Sequence, residues 1–436
     1  MLKLIKKISV LIFICLLQIY FSCISPENTQ NQNTQEPEKN LLEQNAAEAD
    51  SSKENFADDK EENQEKIEVI QEEKKDYSLK ITFGGDIMAH KPNYLIDDFS
   101  KIWSGIKDCL ADSDLNIANL EAPVAQELGF DTYPTFNMEE SYPNAAIDAG
   151  WNVFSLANNH TNDKFLKGIQ GTFDYFSRLE ALNEKKPEGQ RKIYACGIKN
   201  KANGELTYRI IECKEWKILF VAITEILNRP NSQEYIDYIS PTAAAREKFK
   251  KEIIALKEKA NCDFFILSVH SSEEEYKASI PESRRTWYKE LLDCGADVVF
   301  ANHPHVTRAW EFYGDEEDFT NRKLVMYGLG NVISAQRTDP CFENPAKPRD
   351  DTGDGVLVHI TIDKDKDNKP YIKNTSHTYI TTYKTPEAKY IIKVLDDNLI
   401  KEFEDAGNLK QANYFKARKK ITSKFKGTTL WQTTQK

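Results

Sequence analysis

The chain has 436 residues, long enough for one large domain with a sizeable core, and a formal net charge of −11. Residues 1–23 carry +3 and residues 24–76 carry −10, which leaves −4 for residues 77–436, so the acidity belongs to one segment and says little about substrate. Residues 77–436 hold no basic stripe and no nucleic-acid motif, which sets nucleic acid aside as a partner.

Met1-Leu2-Lys3-Leu4-Ile5-Lys6-Lys7 precedes an apolar run from Ile8 to Phe21 broken only by Ser9 and Gln18. A basic start, an apolar run and Ser22-Cys23 are the marks of an export signal. Cys23 after a small residue resembles a bacterial lipobox, in which the cysteine is lipidated; an uncleaved amino-terminal anchor is the alternative. Both readings put the remaining chain outside the cytoplasm, in the cell envelope, on the periplasmic or surface side of a membrane. Residues 24–76 are rich in Glu, Gln, Asn, Lys and Ser and nearly free of aromatic residues. Such a segment buries too little apolar surface to offset its ordering entropy, and it is expected to be a disordered tether.

From residue 77 to residue 384, strand-like and helix-like segments alternate, which argues for an α/β domain. The expected strands are Leu79–Phe83, Leu115–Ala118, Val153–Ala157, Ile193–Cys196, Leu206–Cys213, Trp216–Ile223, Phe264–Val269, Val298–Ala301, Leu324–Tyr327 and Val356–Ile362. The expected helices are Phe99–Leu110, Gly168–Leu182, Thr242–Lys259 and Glu282–Cys294, the last stopping at Gly295. Residues 385–436 read as a helical extension, with helix from Tyr390 to Glu404 and a basic tail from Lys416 to Lys426. Cys109, Cys196, Cys213, Cys262, Cys294 and Cys341 are irregularly spaced and read as small core residues; Cys196–Cys213 is the one disulfide candidate.

Polar clusters fall where strands end. Gly84-Gly85-Asp86 follows the first strand, with His90 close behind, and Asn119-Leu120-Glu121 follows the second. Asn158-Asn159-His160-Thr161-Asn162-Asp163 follows the third. His270 closes a later strand, with Glu273 and Glu275 just beyond, and Asn302-His303-Pro304-His305 closes another. Pro304 should keep its surroundings extended and present the two imidazoles on a stiff loop. One parallel sheet would gather these residues at its carboxyl edge, where open α/β sheets bind ligands. Each cluster has an ordinary reading, as a turn, a helix cap or a hydrogen-bonded histidine, but five together point elsewhere. Mixed oxygen and nitrogen donors suit one or two divalent transition metals such as zinc, manganese or iron.

In order and spacing, Gly85-Asp86, Asn119-Leu120-Glu121, Asn158-Asn159-His160 with Asp163, His270, Asn302-His303-Pro304-His305 and Tyr327-Gly328-Leu329-Gly330-Asn331 resemble the CapA family. These are the capsule or poly-γ-glutamate synthesis proteins of the calcineurin-like metallophosphatase superfamily. The resemblance covers about Leu79 to Ile362 and implies a four-layer α/β/β/α sandwich with two central mixed sheets. It implies Asp86 and His305 on one metal, Asn159, His270 and His303 on a second, and Glu121 bridging them. His160, oriented by Asp163, would stand beside the substrate as the catalytic acid. The chain departs from the family pattern at Ser271 and Ser272, where tryptophan and glycine are usual, and lacks a second Asp on the first strand.

The resemblance therefore implies two divalent ions (Mn, Fe or Zn) and a phosphoesterase-type hydrolase acting on an anionic small molecule or polymer. The alternative is a non-catalytic or amide-directed envelope protein that binds an anionic polymer during capsule assembly.

Overall fold

The computed structural model describes residues 77–187, 189–314 and 318–431. The export signal, Cys23 and the acidic tether lie outside the described residues. Two mixed sheets face one another. The first contains β1 (Leu79–Ile87), β2 (Leu115–Leu120), β3 (Val153–Ser155), β4 (Tyr194–Cys196), β12 (Asp354–Lys364), β13 (Pro370–Lys384) and β14 (Tyr390–Val394), in the order β14-β13-β12-β1-β2-β3-β4. β11 (Asn331–Ile333) pairs with the last residues of β1. The second contains β5 (Tyr208–Cys213), β6 (Trp216–Thr224), β7 (Phe264–His270), β8 (Val298–Asn302), β9 (Trp310–Gly314), β10 (Lys323–Met326) and β15 (Thr428–Trp431), in the order β15-β9-β10-β8-β7-β6-β5.

Period-two alternation explains how apolar runs serve two cores at once. In β6, Ile218, Phe220 and Ala222 point between the sheets, where they join Leu79, Ile81 and Phe83 of β1 and Val298 and Phe300 of β8. The intervening Leu219, Val221 and Ile223 face the opposite way. There they meet Phe249 and Ile253 of α3 (Ala243–Ala260) and Trp287, Tyr288, Leu291 and Leu292 of α4 (Glu282–Asp293). On the far side of the first sheet, Tyr142 and Ala146 of α1 (Ser141–Ala149) and Ile169 and Phe176 of α2 (Phe165–Ala181) cover Ala118, Leu120 and Phe154. The result is four layers, helix, sheet, sheet and helix, as the resemblance implied. Among the described residues, no helix is long and apolar enough to cross a membrane.

The carboxyl-terminal segment differs from its sequence reading. Residues Tyr390–Val394 form β14 rather than helix, because Ile391, Ile392 and Val394 suit the antiparallel edge that β13 offers. Helix begins only at α5 (Asp397–Asp405), where the Asp396 side chain accepts from Leu399 N at 2.8 Å. α5 and α6 (Leu409–Thr422) pack Leu399, Phe403, Tyr414 and Phe415 against Phe342, Tyr379 and Tyr383. The expected basic tail is partly internal: Arg418 is buried and pairs with Asp354 at 2.7 Å and Asp351 at 2.8 Å.

The expected helix Phe99–Leu110 is instead two short pieces, Ser100–Trp103 and Lys107–Ala111. Gly105 lies between them, so close to β14 that a Cβ there would stand 2.2 Å from the Ile392 carbonyl oxygen. Cys196 and Cys213 are both free thiols, and Cys196 is buried in the inter-sheet core.

Candidate metal centre

The carboxyl ends of β1, β2 and β3 meet those of β7 and β8 across the gap between the sheets. A single sheet was expected to collect the polar clusters; two facing sheets do so instead. Gly85 permits the closest approach. A Cβ at that position would lie 1.7 Å from the Gly330 carbonyl oxygen, which accepts from Asp86 N at 3.0 Å. Glycine there lets β1 touch the turn before β11 and sets the Asp86 carboxylate at the rim.

Asn119 organises the carboxylates. Its Nδ2 donates to Asp86 Oδ1 at 2.8 Å and Glu121 Oε2 at 3.0 Å. Asn158 Nδ2 donates to the Leu120 carbonyl oxygen at 2.9 Å, tying the third strand's loop to the second's. That holds Asn159 where its Oδ1 lies 2.9 Å from His270 Nε2. His270 is the last residue of β7, in register with Asn302 of β8.

The loop after β8 is not extended as Pro304 suggested. His303, directly before the proline, has a φ of 103°, and His305 has a φ of 56°. Non-glycine residues in this region cost of order 1–3 kcal/mol each, and the surroundings must over-determine them. Here Tyr276 N donates to the Pro304 carbonyl oxygen at 2.9 Å, and Asn331 Oδ1 lies 3.1 Å from His305 Nδ1. The turn brings His305 Nε2 to 3.5 Å and His270 Nε2 to 3.9 Å from Glu121 Oε1. His305 Nδ1 is 3.1 Å from Asp86 Oδ2, and His303 Nδ1 is 3.2 Å from His270 Nε2.

Three overlapping groups follow, each with its donor atoms within 4.8 Å of one another: Asp86, Glu121 and His305; Glu121, His270 and His303; and Glu275, His303 and His305. The residues fit divalent ions by an observation independent of the resemblance. Glu121 is wholly buried, and its Oε1, the atom common to the two nearest imidazoles, has no hydrogen-bond partner. An ionised buried carboxylate with an orphaned oxygen calls for a cation. Burial and the neighbouring Asp86 charge push the Glu121 carboxyl well above its ordinary range. Burial, then the His303 charge, pushes His270 well below its ordinary value; burial, then His305, pulls His303 down to about 4. Neutral imidazole is the form that ligates metal. Burial is the largest single influence on His305 and pulls it down, but the bond to Asp86, the Asp86 and Glu275 charges and the bond to Asn331 together raise it.

A cleft of about 690 Å³ opens over these groups, lined by His160, Asn159, His305, Glu275, Asn228, Arg229, Tyr276 and Arg349 among others. His160 Nδ1 lies 2.7 Å from Asp163 Oδ2, which also accepts from Phe136 N at 2.7 Å. A carboxylate only accepts, so Nδ1 carries a proton, and Nε2 lies 3.5 Å from Asn228 Nδ2. Phe136 packs edge-on to the ring, with centroids 4.8 Å apart. The expected site residues Asp86, Glu121, Asn159, His160, Asp163, His270, His303 and His305 are therefore gathered in one place. His90 lines the cleft but belongs to none of the three groups; its Nδ1 accepts from Ala335 N at 3.3 Å.

Sequence reasoning gave no role to Asn119, Asn228, Arg229, Glu275, Asn331 or Arg349. Asn119 and Asn331 sit inside the Asn119-Leu120-Glu121 and Gly330-Asn331 motifs, and Glu275 follows His270 by five residues, a spacing that marks it as a ligand candidate. Arg229 and Arg349 lie in loops with no motif to mark them.

A family model described as "Bacterial capsule synthesis protein PGA_cap" matches residues 80–336. The chain is 23% identical over 266 residues to "Capsule biosynthesis protein CapA" of Bacillus anthracis, a match covering 59% of this chain and 60% of that protein. Among solved structures, a hypothetical protein from Thermus thermophilus matches 69% of this chain and 98% of its own at 16% identity and a TM-score of 0.38. A candidate 5′-nucleotidase from Staphylococcus aureus, solved in complex with alpha-ketoglutarate, matches 69% of this chain and 54% of its own at 10% identity and a TM-score of 0.39. With its family model spanning more than half the sequence, the chain belongs to the bacterial capsule synthesis (PGA_cap, CapA-like) family, and its two facing sheets carry the polar rim just described.

Proposed function

We propose that the protein is a metal-dependent hydrolase of the phosphoesterase type, acting on an anionic small molecule or polymer during capsule or poly-γ-glutamate synthesis. It is exported and held at a membrane by lipid on Cys23. The observation that carries the hydrolase reading is the set of three overlapping donor groups under a cleft whose wall presents His160. Asp86, Glu121, Asn159, His270, His303 and His305 would hold two divalent ions, with Glu121 common to both. Such ions supply Lewis acidity against negative charge developing on the substrate and favour ionisation of water.

The chain's own groups do the rest. His160 would enter the reaction with both ring nitrogens protonated, give its Nε2 proton to the departing oxygen, and be left as the neutral Nδ1–H form. Asp163 holds the ring by Nδ1 and favours the charged imidazole that precedes proton transfer. Phe136 packs one side of that ring and keeps water from it. The capsule role is taken from the name of the Bacillus anthracis relative.

A panel of aryl phosphate mono- and diesters assayed with added manganese tests the proposal. Turnover that disappears with chelator supports it. Silence on every ester, with polymer binding retained, replaces it with the non-catalytic or amide-directed alternative.

A further inference from the structure

Two arginines line the same cleft, and among the described residues neither guanidinium is in an ion pair. Arg229 stands on the His160 side: it lies 5.4 Å over the Phe165 ring, and its neighbour Asn228 places Nδ2 3.3 Å from His160 Nδ1. Arg349 stands on the His305 side, 5.4 Å over the Tyr276 ring, whose centroid is 6.1 Å from that of His305. The bland reading of a surface arginine is a solvated charge. Here each planar cation lies over an aromatic ring; Arg349 also hydrogen-bonds the Tyr276 side chain, and with five N–H donors it keeps others to fork onto an anion. Glu275, the carboxylate lining the cleft, is itself a member of one donor group.

Arg349 is also held from behind. It lies in the short helix Pro348–Asp351, past residue 336 where the family match ends. Arg418 of α6 donates to Asp351 Oδ1 at 2.8 Å and to the Pro345 carbonyl oxygen at 2.6 Å, while Tyr414 Oη bonds Asp350. The carboxyl-terminal helix thus fixes both ends of the segment that bears Arg349.

We propose that Arg349 and Arg229 bind a second anionic group of the substrate, so that preferred substrates carry a phosphate or carboxylate beyond the one that reaches the donor groups. α6 positions Arg349 for this. The inference rests on the hydrolase reading for what happens at the donor groups, but its test reads binding alone.

Calorimetry on the full, manganese-loaded chain compares alkyl monophosphates with alkanediol bisphosphates and carboxyalkyl phosphates over a series of linker lengths. The wild type should bind at least one two-anion ligand about tenfold or more tighter than its monophosphate counterpart, and Arg349→Ala should bring that ratio close to one. Arg349→Lys, which keeps the charge and loses the fork, should restore part of it. Whether the bisphosphate or the carboxyalkyl series shows the larger ratio identifies the second group as phosphate or carboxylate. A ratio near one at every length in the wild type, or one unchanged in both Arg349→Ala and Arg229→Ala, overturns the proposal. An intact ratio with no ester turned over overturns the hydrolase reading and leaves this one standing.

Discussion

Glu121→Gln separates a carboxylate that holds metal from one that holds the fold. Glutamine keeps an oxygen to accept from Asn119 Nδ2, now 3.0 Å from Glu121 Oε2, and removes a buried charge that the metal-free site disfavours. The metal-free variant should therefore stay within about 1 kcal/mol of wild type. A carboxyl raised above its ordinary value gives stability that is complete below that value and lost as pH rises through the folded one. Metal-free wild type should thus lose stability relative to the variant as pH climbs above the usual carboxylate range.

With metal the order reverses. At free manganese about 100 times the dissociation constant, wild type gains roughly 2.7 kcal/mol. At roughly 2 °C per kcal/mol for a body this size, that is a rise in Tm of about 5 °C. Loss of a ligand shared by two groups should weaken binding at least about 100-fold, which leaves about 0.4 kcal/mol and under about 1 °C. Scanning calorimetry on chelator-treated protein, titrated with manganese, reads both effects. An unchanged manganese-dependent shift in the variant would refute the shared-ligand role. A metal-free loss beyond about 3 kcal/mol would show that the ionised carboxylate is structural.

Three further outcomes are expected. His160→Ala should lower kcat about 10²–10⁴-fold and leave metal content unchanged, as measured by steady-state kinetics beside elemental analysis. Asp163→Asn should lower kcat by a comparable or larger factor, because an amide no longer enforces the Nδ1-protonated tautomer; unchanged kcat would remove Asp163 from the account. Arg418→Ala removes one of the two arginines that hold the buried Asp354, the other being Arg337 at 2.8 Å, and should cost about 2–3 kcal/mol, a fall in Tm of roughly 4–6 °C by calorimetry.

Much of the fold was legible because apolar runs such as Trp216–Thr224 are buried on both faces, and both flanking cores demand β-branched and aromatic residues. The site was legible where chemistry and strand ends coincide: Asp86, Glu121, Asn159, His270, His303 and His305 each close a strand or open the loop after one. What escaped depends on partners distant in the chain. Tyr390–Val394 reads equally well as helix until β13 offers it an edge. Pro143 obscures α1, although a proline in the first turn costs no intrahelical bond. The positive φ of His303 contradicts the local preference before proline, and is held by contacts from Tyr276 and Asn331 that no window around Pro304 contains. Arg349 reaches the cleft only because α6, some 70 residues further along, anchors its segment.

Elemental analysis of the purified chain beside its His303→Ala variant tests the central claim most directly, since His303 belongs to two of the three donor groups. The account predicts divalent metal co-purifying with the wild type and lost, together with turnover, from the variant. Equal metal content in both proteins would contradict it.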